Sequence, residues 1–272
     1  MTKPRILLFD SGMGGLTVAR AVAKQLPEAH LIYSADNAGF PYGAWKEKPL
    51  VDRIRRVMGA LIERSKPDVV VVACNTASTI AIADLRASFT QPFVGTVPAI
   101  KPAAALTKSN IIGVLATPGT VNREYTHSLI HTYAYHCKVF LHGAPRLAEI
   151  AEQKLRGHAV DMAELADEVA PVFRKRDGGR TDVVVLGCTH YPLLTEEISK
   201  VAPWDVIYID PAPAIARRVA DVVEEMALQG EDASAPTHGT VLLTAARSET
   251  SETLAAYASM GFARHESIDL PV

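Results

Sequence analysis

Two of the three cysteines in this 272-residue chain stand in matching surroundings. Cys74 follows the apolar run 69–73, and Cys188 follows the apolar run 183–187. A continuous run of branched apolar residues predicts a strand that is buried on both faces, as in a parallel sheet covered by helices. Ligands of such sheets bind where the strands end, which is where both thiols stand. Two matched thiols that face one cleft indicate an enzyme that works on both sides of a substrate.

The chemistry of these thiols depends on their ionisation. A free thiol has a pKa of about 8.5, and a helix N-terminus or a nearby cation lowers it to roughly 3.5–7.5. Cys74 and Cys188 each stand between a predicted strand and the start of a helix, so the positive end of a helix dipole is close. His190 is two residues past Cys188, where it could protonate or orient groups in the cleft. Either cysteine alone is compatible with a buried structural role, as we predict for Cys137, but the matched pair favours catalysis.

Two loops at predicted strand ends are further candidates for a binding site. The glycine-rich turn 10–15 opens a helix, and its backbone amides are suited to a phosphate or a carboxylate. It approaches a dinucleotide fingerprint, with Asp36 at the end of the next strand, but Thr17 stands where the third glycine belongs. A small-molecule site is therefore the better interpretation. The polar loop 36–43 follows the second predicted strand, and such loops often bind ligands.

Strand-like and helix-like segments alternate along the chain, which predicts an α/β fold with parallel sheets. Strands are predicted at 6–9, 31–34, 69–73, 111–115, 139–141, 183–186, 206–209 and 241–244, with a short one within 92–98. Helices are predicted at 14–26, 49–64, 77–87, 121–133, 146–156, 160–175, 193–201, 211–228 and 250–260, and a loop at 230–238.

A weak internal repeat relates the two halves of the chain. The stretch 6–12 resembles 112–119, and each precedes its cysteine by a similar distance. Glycine- and proline-rich joints near 92–98 and at 210–213 mark the boundaries. We predict two pseudo-symmetric, flavodoxin- or Rossmann-like α/β domains with mainly parallel sheets and an active site in the cleft between them. The first would comprise 1–97 plus 210–272, and the second 98–209.

Composition excludes several classes of protein. The chain is 48% hydrophobic and 21% charged, with a net charge of −2, which argues against a nucleic-acid partner. No apolar stretch reaches the roughly 18 residues of a membrane helix, and the run 6–9 is too short for a signal peptide. We therefore expect a cytoplasmic protein with reduced thiols and no membrane partner. Three widely spaced cysteines fit neither a disulfide framework nor a zinc site.

The motifs in combination resemble those of glutamate racemases, in the Asp/Glu racemase family. The matching stretches span most of the chain in the right order and lie at 9–16, 36–43, 73–77 and 186–193. The resemblance implies a cofactor-independent enzyme that interconverts L- and D-glutamate and supplies D-glutamate for peptidoglycan. It also implies two pseudo-symmetric domains with the active site between them, and a homodimer. Some relatives carry an N-terminal extension linked to activation by a peptidoglycan precursor; this chain starts almost at its first strand, which argues against that regulation.

The resemblance also implies a role for individual residues. Cys74 and Cys188 would be the two acid/base residues, with Cys188 taking the proton from L-glutamate and Cys74 from D-glutamate. Their helpers would be Asp10, Glu152 and His190. Contacts to substrate would come from Asp10, Ser11, Tyr42, Gly43, Asn75, Thr76, Thr189 and His190. The assignment of Glu152 is open, because Glu149 is a competing candidate in a stretch that departs from the family pattern.

The residues offer the chemistry that such a reaction needs. Inversion of an α-carbon requires a base on one face and an acid on the other, and each positioned group contributes roughly 10²–10⁴-fold. Donors aimed at the substrate carboxylate would stabilise the carbanion, and amides and hydroxyls at Ser11, Asn75, Thr76 and Thr189 suit that role. No lysine stands in a motif for a pyridoxal Schiff base and no metal-ligand pattern is present, so we predict no cofactor and no metal.

Three alternatives remain. Aspartate racemases share the fold and the mechanism, but often have glutamate two residues after the second cysteine, where this chain has His190. A thiol hydrolase that uses Cys188 with His190 would leave Cys74 without a purpose. A binding protein on the same fold is the third, because a fold does not fix a function.

Overall fold

The computed structural model describes residues 3–226, 238–245 and 249–268. Its strands are β1 (Arg5–Asp10), β2 (His30–Ala35), β3 (Val69–Val72), β4 (Phe93–Gly95), β5 (Ile111–Ala116), β6 (Lys138–Gly143), β7 (Lys175–Arg176), β8 (Gly179–Arg180), β9 (Val183–Gly187), β10 (Ile207–Ile209), β11 (Thr240–Leu243) and β12 (Arg264–Ser267). Its α-helices are α1 (Leu16–Gln25), α2 (Glu47–Ser65), α3 (Asn75–Ser88), α4 (Ile100–Leu106), α5 (Pro118–Val121), α6 (Glu124–Tyr133), α7 (Leu147–Leu155), α8 (Met162–Val169), α9 (Thr195–Val201), α10 (Ala212–Glu224) and α11 (Ser251–Ser259). Short 3-10 helices lie at Asn37–Gly39, Tyr42–Ala44, Ala170–Val172 and Tyr191–Leu194.

The longer strands form two parallel sheets. The first has the order β12-β11-β2-β1-β3-β4 and the second β10-β9-β5-β6, while β7 and β8 form an antiparallel hairpin. Neighbouring strands within both sheets run parallel. The order β2-β1-β3-β4 recurs as β6-β5-β9-β10, so the weak sequence repeat corresponds to a repeated topology. The predicted α/β fold with two parallel sheets is confirmed.

The central strands are buried because helices cover both faces of each sheet. On β3, Val69 and Val71 pack into one core with α1 and α10, whereas Val70 and Val72 pack into another with α2 and α3. Each fully buried valine contributes roughly 1.5–3 kcal/mol to folding. The second sheet is covered in the same way, by α7, α8 and α9 on one face and by α4 and α6 on the other. Among the described helices, none is long and apolar enough to span a bilayer.

Differences from the predicted elements lie mainly at turns. The predicted helix 121–133 is instead the pair α5 and α6, because Thr117 caps a separate short helix with its side chain. The predicted helix 160–175 ends at Val169, and Pro171, which has no N–H to donate, lies in the 3-10 turn that follows. The sequence pattern predicts no counterpart of α4, of the β7–β8 hairpin or of the edge strand β12.

The C-terminal part of the chain returns to the first sheet. After β10 completes the second sheet, α10 packs in the same core as α1, and β11 pairs with β2. The division into 1–97 plus 210–272 and 98–209 stays a prediction. Residues 227 and 228 of the predicted helix 211–228 lie outside the described residues, as does the predicted loop 230–238 apart from its last residue.

The carboxyl ends of the two sheets meet. Asp10, at the end of β1, accepts a hydrogen bond of 2.9 Å from the hydroxyl of Thr189, which follows β9. The hydroxyl oxygens of Thr76, after β3, and Thr117, after β5, lie 3.0 Å apart. The loops that end these four strands therefore form one site between the sheets.

Candidate active site

Cys74 and Cys188 lie on opposite sheets and line one cavity. Cys74 is the residue immediately before α3, and Cys188 immediately follows β9. Both are buried, with 7% and 6% of their surface exposed. The cavity has a volume of about 20 Å³, room for about one water molecule. Its lining consists of Ser11, Phe40, Pro41, Tyr42, Gly43, Cys74, Asn75, Thr76, Thr117, Ala148, Cys188, Thr189 and His190.

A chain of ionisable side chains leads away from Cys188. The Nδ1 atom of His190 lies 3.7 Å from the Cys188 sulfur, and its Nε2 lies 3.0 Å from Oε1 of Glu152. Burial alone would lower the pKa of His190, but the hydrogen bonds and charges of its two partners hold that pKa well above its ordinary value. Burial would likewise raise the pKa of Glu152, but His190, the Met13 amide and Arg156 lower it. At neutral pH the site therefore places an imidazolium beside the Cys188 sulfur and a carboxylate behind it.

The surroundings of Cys74 are different. Its sulfur lies 3.9 Å from the Ser11 hydroxyl, and the buried carboxylate of Asp10 accepts hydrogen bonds from the Gly12 amide and from Thr189. Burial first, and the charge of Asp10 second, raise the pKa of the Cys74 thiol far above its ordinary value. Burial also raises the pKa of Asp10. The site thus holds a protonated thiol on this side.

Polar groups at the start of α3 face the same cavity. Asn75 is almost completely buried, and its side-chain oxygen and nitrogen have no hydrogen-bond partner among the described residues. A buried amide without a partner costs about 1–3 kcal/mol, so its place in the cavity wall marks it as a group for binding a polar ligand. The Thr76 hydroxyl lies 3.0 Å from that of Thr117 and 3.4 Å from that of Thr120.

A third set of contacts holds the loop 36–43 against the cavity. The Tyr42 hydroxyl donates a hydrogen bond to Oδ2 of Asp36, which is fully buried. Arg53 pairs with both oxygens of the same carboxylate, at 2.7 and 2.6 Å. Such a bidentate pair fixes the plane of the carboxylate. The loop is therefore anchored from α2, and Gly43 is held in the cavity wall.

The predicted site residues are brought together by the structure. Of these, Asp10 and Glu152 lie behind the wall, in contact with Thr189 and His190, and the others line the cavity. Glu149, the competing candidate, is exposed and pairs with Arg146, away from the cavity. Cys137 is not among the residues of the cavity wall.

Sequence reasoning missed Thr117 and Ala148 in the wall, and it gave no individual role to Phe40 and Pro41 of the predicted binding loop 36–43. A signal for Thr117 exists, because in the internal repeat 112–119 it occupies the position that Ser11 occupies in 6–12. Arg53 and Arg156, which hold buried carboxylates, stand in no motif. Within the described residues no group of three or more His, Cys, Asp or Glu side chains is arranged to hold a metal ion.

Comparison with known proteins places this geometry in a family. The family model described as Asp/Glu/Hydantoin racemase matches residues 16–219. A glutamate racemase from Brucella anthropi is 51% identical over 220 residues, which cover 80% of this chain and 79% of that protein. The crystal structure of Escherichia coli glutamate racemase, in complex with L-glutamate and the activator UDP-MurNAc-ala, superposes with a TM-score of 0.90 at 41% identity, over 98% of each chain. That of a glutamate racemase isoform from Bacillus anthracis gives 0.82 at 28% identity, over 100% of each chain.

Proposed function

Because this chain belongs to the Asp/Glu/hydantoin racemase family and is an isomerase, we propose that it interconverts L- and D-glutamate through the thiols of Cys74 and Cys188, without a cofactor. The observation that carries this proposal is the placement of the two thiols. They line one small cavity from two different sheets, and each has a different electrostatic environment. A proton can therefore leave one face of a bound α-carbon while another arrives on the opposite face.

The direction from L- to D-glutamate uses the site as it stands. The His190 imidazolium stabilises negative charge on the Cys188 sulfur, and this thiolate takes the α-proton of L-glutamate. The electron pair of the broken C–H bond remains on the substrate as a carbanion. The Cys74 thiol then gives its proton to the opposite face, which leaves D-glutamate, a protonated Cys188 and a Cys74 thiolate. The reverse direction starts from that second protonation state.

The remaining residues stabilise charge and hold the substrate. The amides at the N-terminus of α3, the Asn75 side chain and the hydroxyls of Thr76 and Thr189 would bind the carboxylates and spread the negative charge of the carbanion. Asp10 keeps the Cys74 proton in place, because its charge disfavours the thiolate. Glu152 orients the imidazolium of His190.

Substrate entry requires the cleft to open. A cavity of about 20 Å³ holds about one water molecule, and glutamate is several times larger. The contacts that bridge the two sheets, such as that between Thr76 and Thr117, would separate on entry and re-form around the substrate. The proposal also includes a cytoplasmic location, a homodimer and the use of D-glutamate in peptidoglycan, all of which follow from the resemblance to glutamate racemases.

Polarimetry tests the proposal directly. Purified protein is incubated with L-glutamate, and separately with D-glutamate, without any added cofactor. We expect optical rotation to fall to zero from either side, and aspartate to react poorly because His190 replaces the glutamate often found in aspartate racemases. Faster turnover of aspartate would assign the chain to that group, and constant rotation with both amino acids would overturn the proposal.

A further inference from the structure

Within the part of the chain that the structure describes, Arg156 contacts the active site through Glu152. It directly follows α7, and its Nη2 atom lies 2.7 Å from Oε2 of Glu152, one helical turn earlier. The other oxygen, Oε1, faces His190 at 3.0 Å and accepts the Met13 amide at 2.6 Å. Arg156 therefore binds the one carboxylate oxygen that the site leaves free.

Arg156 is itself held by the C-terminal helix. Its Nε donates a hydrogen bond of 3.0 Å to the hydroxyl of Thr253, in the first turn of α11. Thr253 is buried, and its backbone amide is capped by the hydroxyl of Thr250. Because a guanidinium is planar and rigid, contacts at Nε and Nη2 together fix its orientation. The contact also joins two halves of the molecule, since α7 covers the second sheet and α11 packs in a core of the first.

We propose that Arg156 is a positioning residue for proton transfer at Cys188: held by Thr253, it fixes Glu152, which fixes His190 against the Cys188 sulfur. The proposal rests on the proposed racemase function. Among the described residues no hydrogen bond links Arg156 or Glu152 to Cys74, whose sulfur lies 3.9 Å from the Ser11 hydroxyl. Loss of Arg156 should therefore impair one of the two proton transfers and leave the other intact.

The charges around Glu152 predict the direction in which its pKa should change when Arg156 is removed. Its carboxylate is 4% exposed, so without Arg156 it would be a buried anion with one unpaired oxygen. Arg156 is one of the groups that lower the pKa of Glu152, and its removal should raise that pKa. The other titratable groups that face Glu152 and His190 are Asp10, Cys188, Tyr33 and Tyr257.

The test compares Arg156→Met, Arg156→Lys and Thr253→Val with Arg146→Met as the control. Arg146 stands at the start of the same helix and pairs with Glu149 and Glu164, whose carboxylates lie outside the site. We expect Arg156→Met to lower kcat/KM about 10- to 100-fold, by the same factor in both directions because the two enantiomers are equally stable. Thr253→Val should lower it a few-fold, Arg156→Lys should fall between these two, and Arg146→Met should leave it unchanged.

Isotope effects then show which proton transfer is impaired. With glutamate deuterated at Cα, the isotope effect on kcat/KM reports the abstraction step of the enantiomer used. In Arg156→Met it should rise for L-glutamate, because transfer to Cys188 limits the rate more, and fall for D-glutamate. A variant whose fold is merely loosened would not shift the two isotope effects in opposite directions. Opposite changes with the enantiomers exchanged would support the role of Arg156 and overturn the assignment of Cys188 to L-glutamate.

A measurement that needs no turnover separates this inference from the proposed function. Carbon-13 NMR of labelled glutamate side chains follows the titration of the Glu152 carboxyl, assigned with Glu152→Gln. We expect its midpoint to move to higher pH in Arg156→Met and to stay in place in Arg146→Met. An unchanged midpoint with unchanged isotope effects would overturn the role of Arg156. Absence of racemisation by the unmodified protein would instead overturn the proposed function.

Discussion

The Glu152 carboxylate and the His190 imidazole lie 3.0 Å apart, and their side chains are only 4% and 3% exposed. Two charges this deeply buried are costly unless they pair, so each group stabilises the charged form of the other. Since His190 also faces the Cys188 sulfur at 3.7 Å, this pair sets the electrostatic environment of one of the two thiols.

The coupling between Glu152 and His190 should depend on pH. The pKa of His190 is raised above 6.5 in the folded state, so its contribution is full below that pH and is lost as pH rises through the raised value. The pKa of Glu152 is lowered below 4.5, so its contribution is full above that pH and is lost as pH falls. A double-mutant cycle of Glu152→Gln and His190→Gln by urea unfolding should give a coupling of about 1–3 kcal/mol near pH 6.

This coupling should decline in alkaline solution, as His190 loses its proton. The exposed pair Arg146 and Glu149 is the control, with an expected coupling of about 0–1 kcal/mol. A Glu152–His190 coupling that stayed constant between about pH 6 and pH 9 would contradict the charged state of His190 in this range.

Each of the two cavity cysteines should be essential in both directions. In Cys74→Ala and in Cys188→Ala the acid or base on one face is gone, so racemisation of L- and D-glutamate should be abolished while the fold remains intact. The corresponding serine variants should be nearly as inactive, because a hydroxyl is a far weaker acid than a thiol. Cys137→Ala, outside the cavity wall, should be close to neutral. Polarimetry and circular dichroism measure the two properties.

Solvent deuterium tests the same mechanism in the unmodified protein. In deuterium oxide the inverted product from either enantiomer should carry deuterium at Cα, because the incoming proton comes from the opposite thiol.

If Cys74→Ala kept near-normal turnover while Cys188→Ala was inactive, the two-thiol mechanism would fail. A Cys-His hydrolase built on Cys188 and His190 would then become the better interpretation.

Activity should survive exhaustive dialysis and metal chelators. The described residues bring together no group of three or more metal-ligating side chains, and the proposed acid and base are both thiols. Racemisation rates before and after treatment with a chelator measure this. A clear loss that added metal restores would contradict the prediction.

Two glycine-to-alanine substitutions should differ in their effects: one should lower activity, and the other should raise stability without changing activity. A Cβ at Gly14 would lie 2.3 Å from Nδ1 of His190, so Gly14→Ala should displace the imidazole and lower kcat/KM by about tenfold or more. A Cβ at Gly59, inside α2, would lie 3.7 Å from Phe89, which is ordinary contact. Gly59→Ala should therefore raise the free energy of unfolding by about 0.5–1 kcal/mol and leave activity unchanged. A fully active Gly14→Ala would show that the position of His190 is unimportant.

The parts of the fold that could be predicted are those with a local sequence signal. The valine runs at 69–72 and 183–185 place apolar side chains on both faces of a strand, so they predict central parallel strands that are covered on both faces. The cysteines that follow them then lie at strand ends by necessity. Short elements such as β12 could not be predicted in this way, because the exposed strand Arg264–Ser267 has no apolar pattern and forms only by pairing with β11.

The same distinction holds within the site. Ser11, Asn75 and Thr189 stand in motifs next to strand ends and could be named from the sequence. Arg53 lies on α2, and only the packing of that helix brings it to Asp36. Arg156 reaches Glu152 through the turn of α7 itself, but nothing in the sequence shows that this side of the helix faces the site. Glu152 is distinguished from Glu149 by the helix face it occupies, which places one carboxylate inside and the other in solvent.

The small volume of the cavity limits how quickly a hydrogen taken from the substrate can leave the thiol that accepted it. In the two-thiol mechanism, the hydrogen taken from L-glutamate remains on Cys188 after D-glutamate has formed. Because Cys188 is only 6% exposed and the cavity has room for about one water molecule, that hydrogen meets few water molecules with which it can exchange. The protein that has just released D-glutamate therefore differs from the one that bound L-glutamate only in which sulfur carries a hydrogen. At high glutamate concentration, the protonation state of the two thiols would therefore still reflect the enantiomer released last when the next substrate binds.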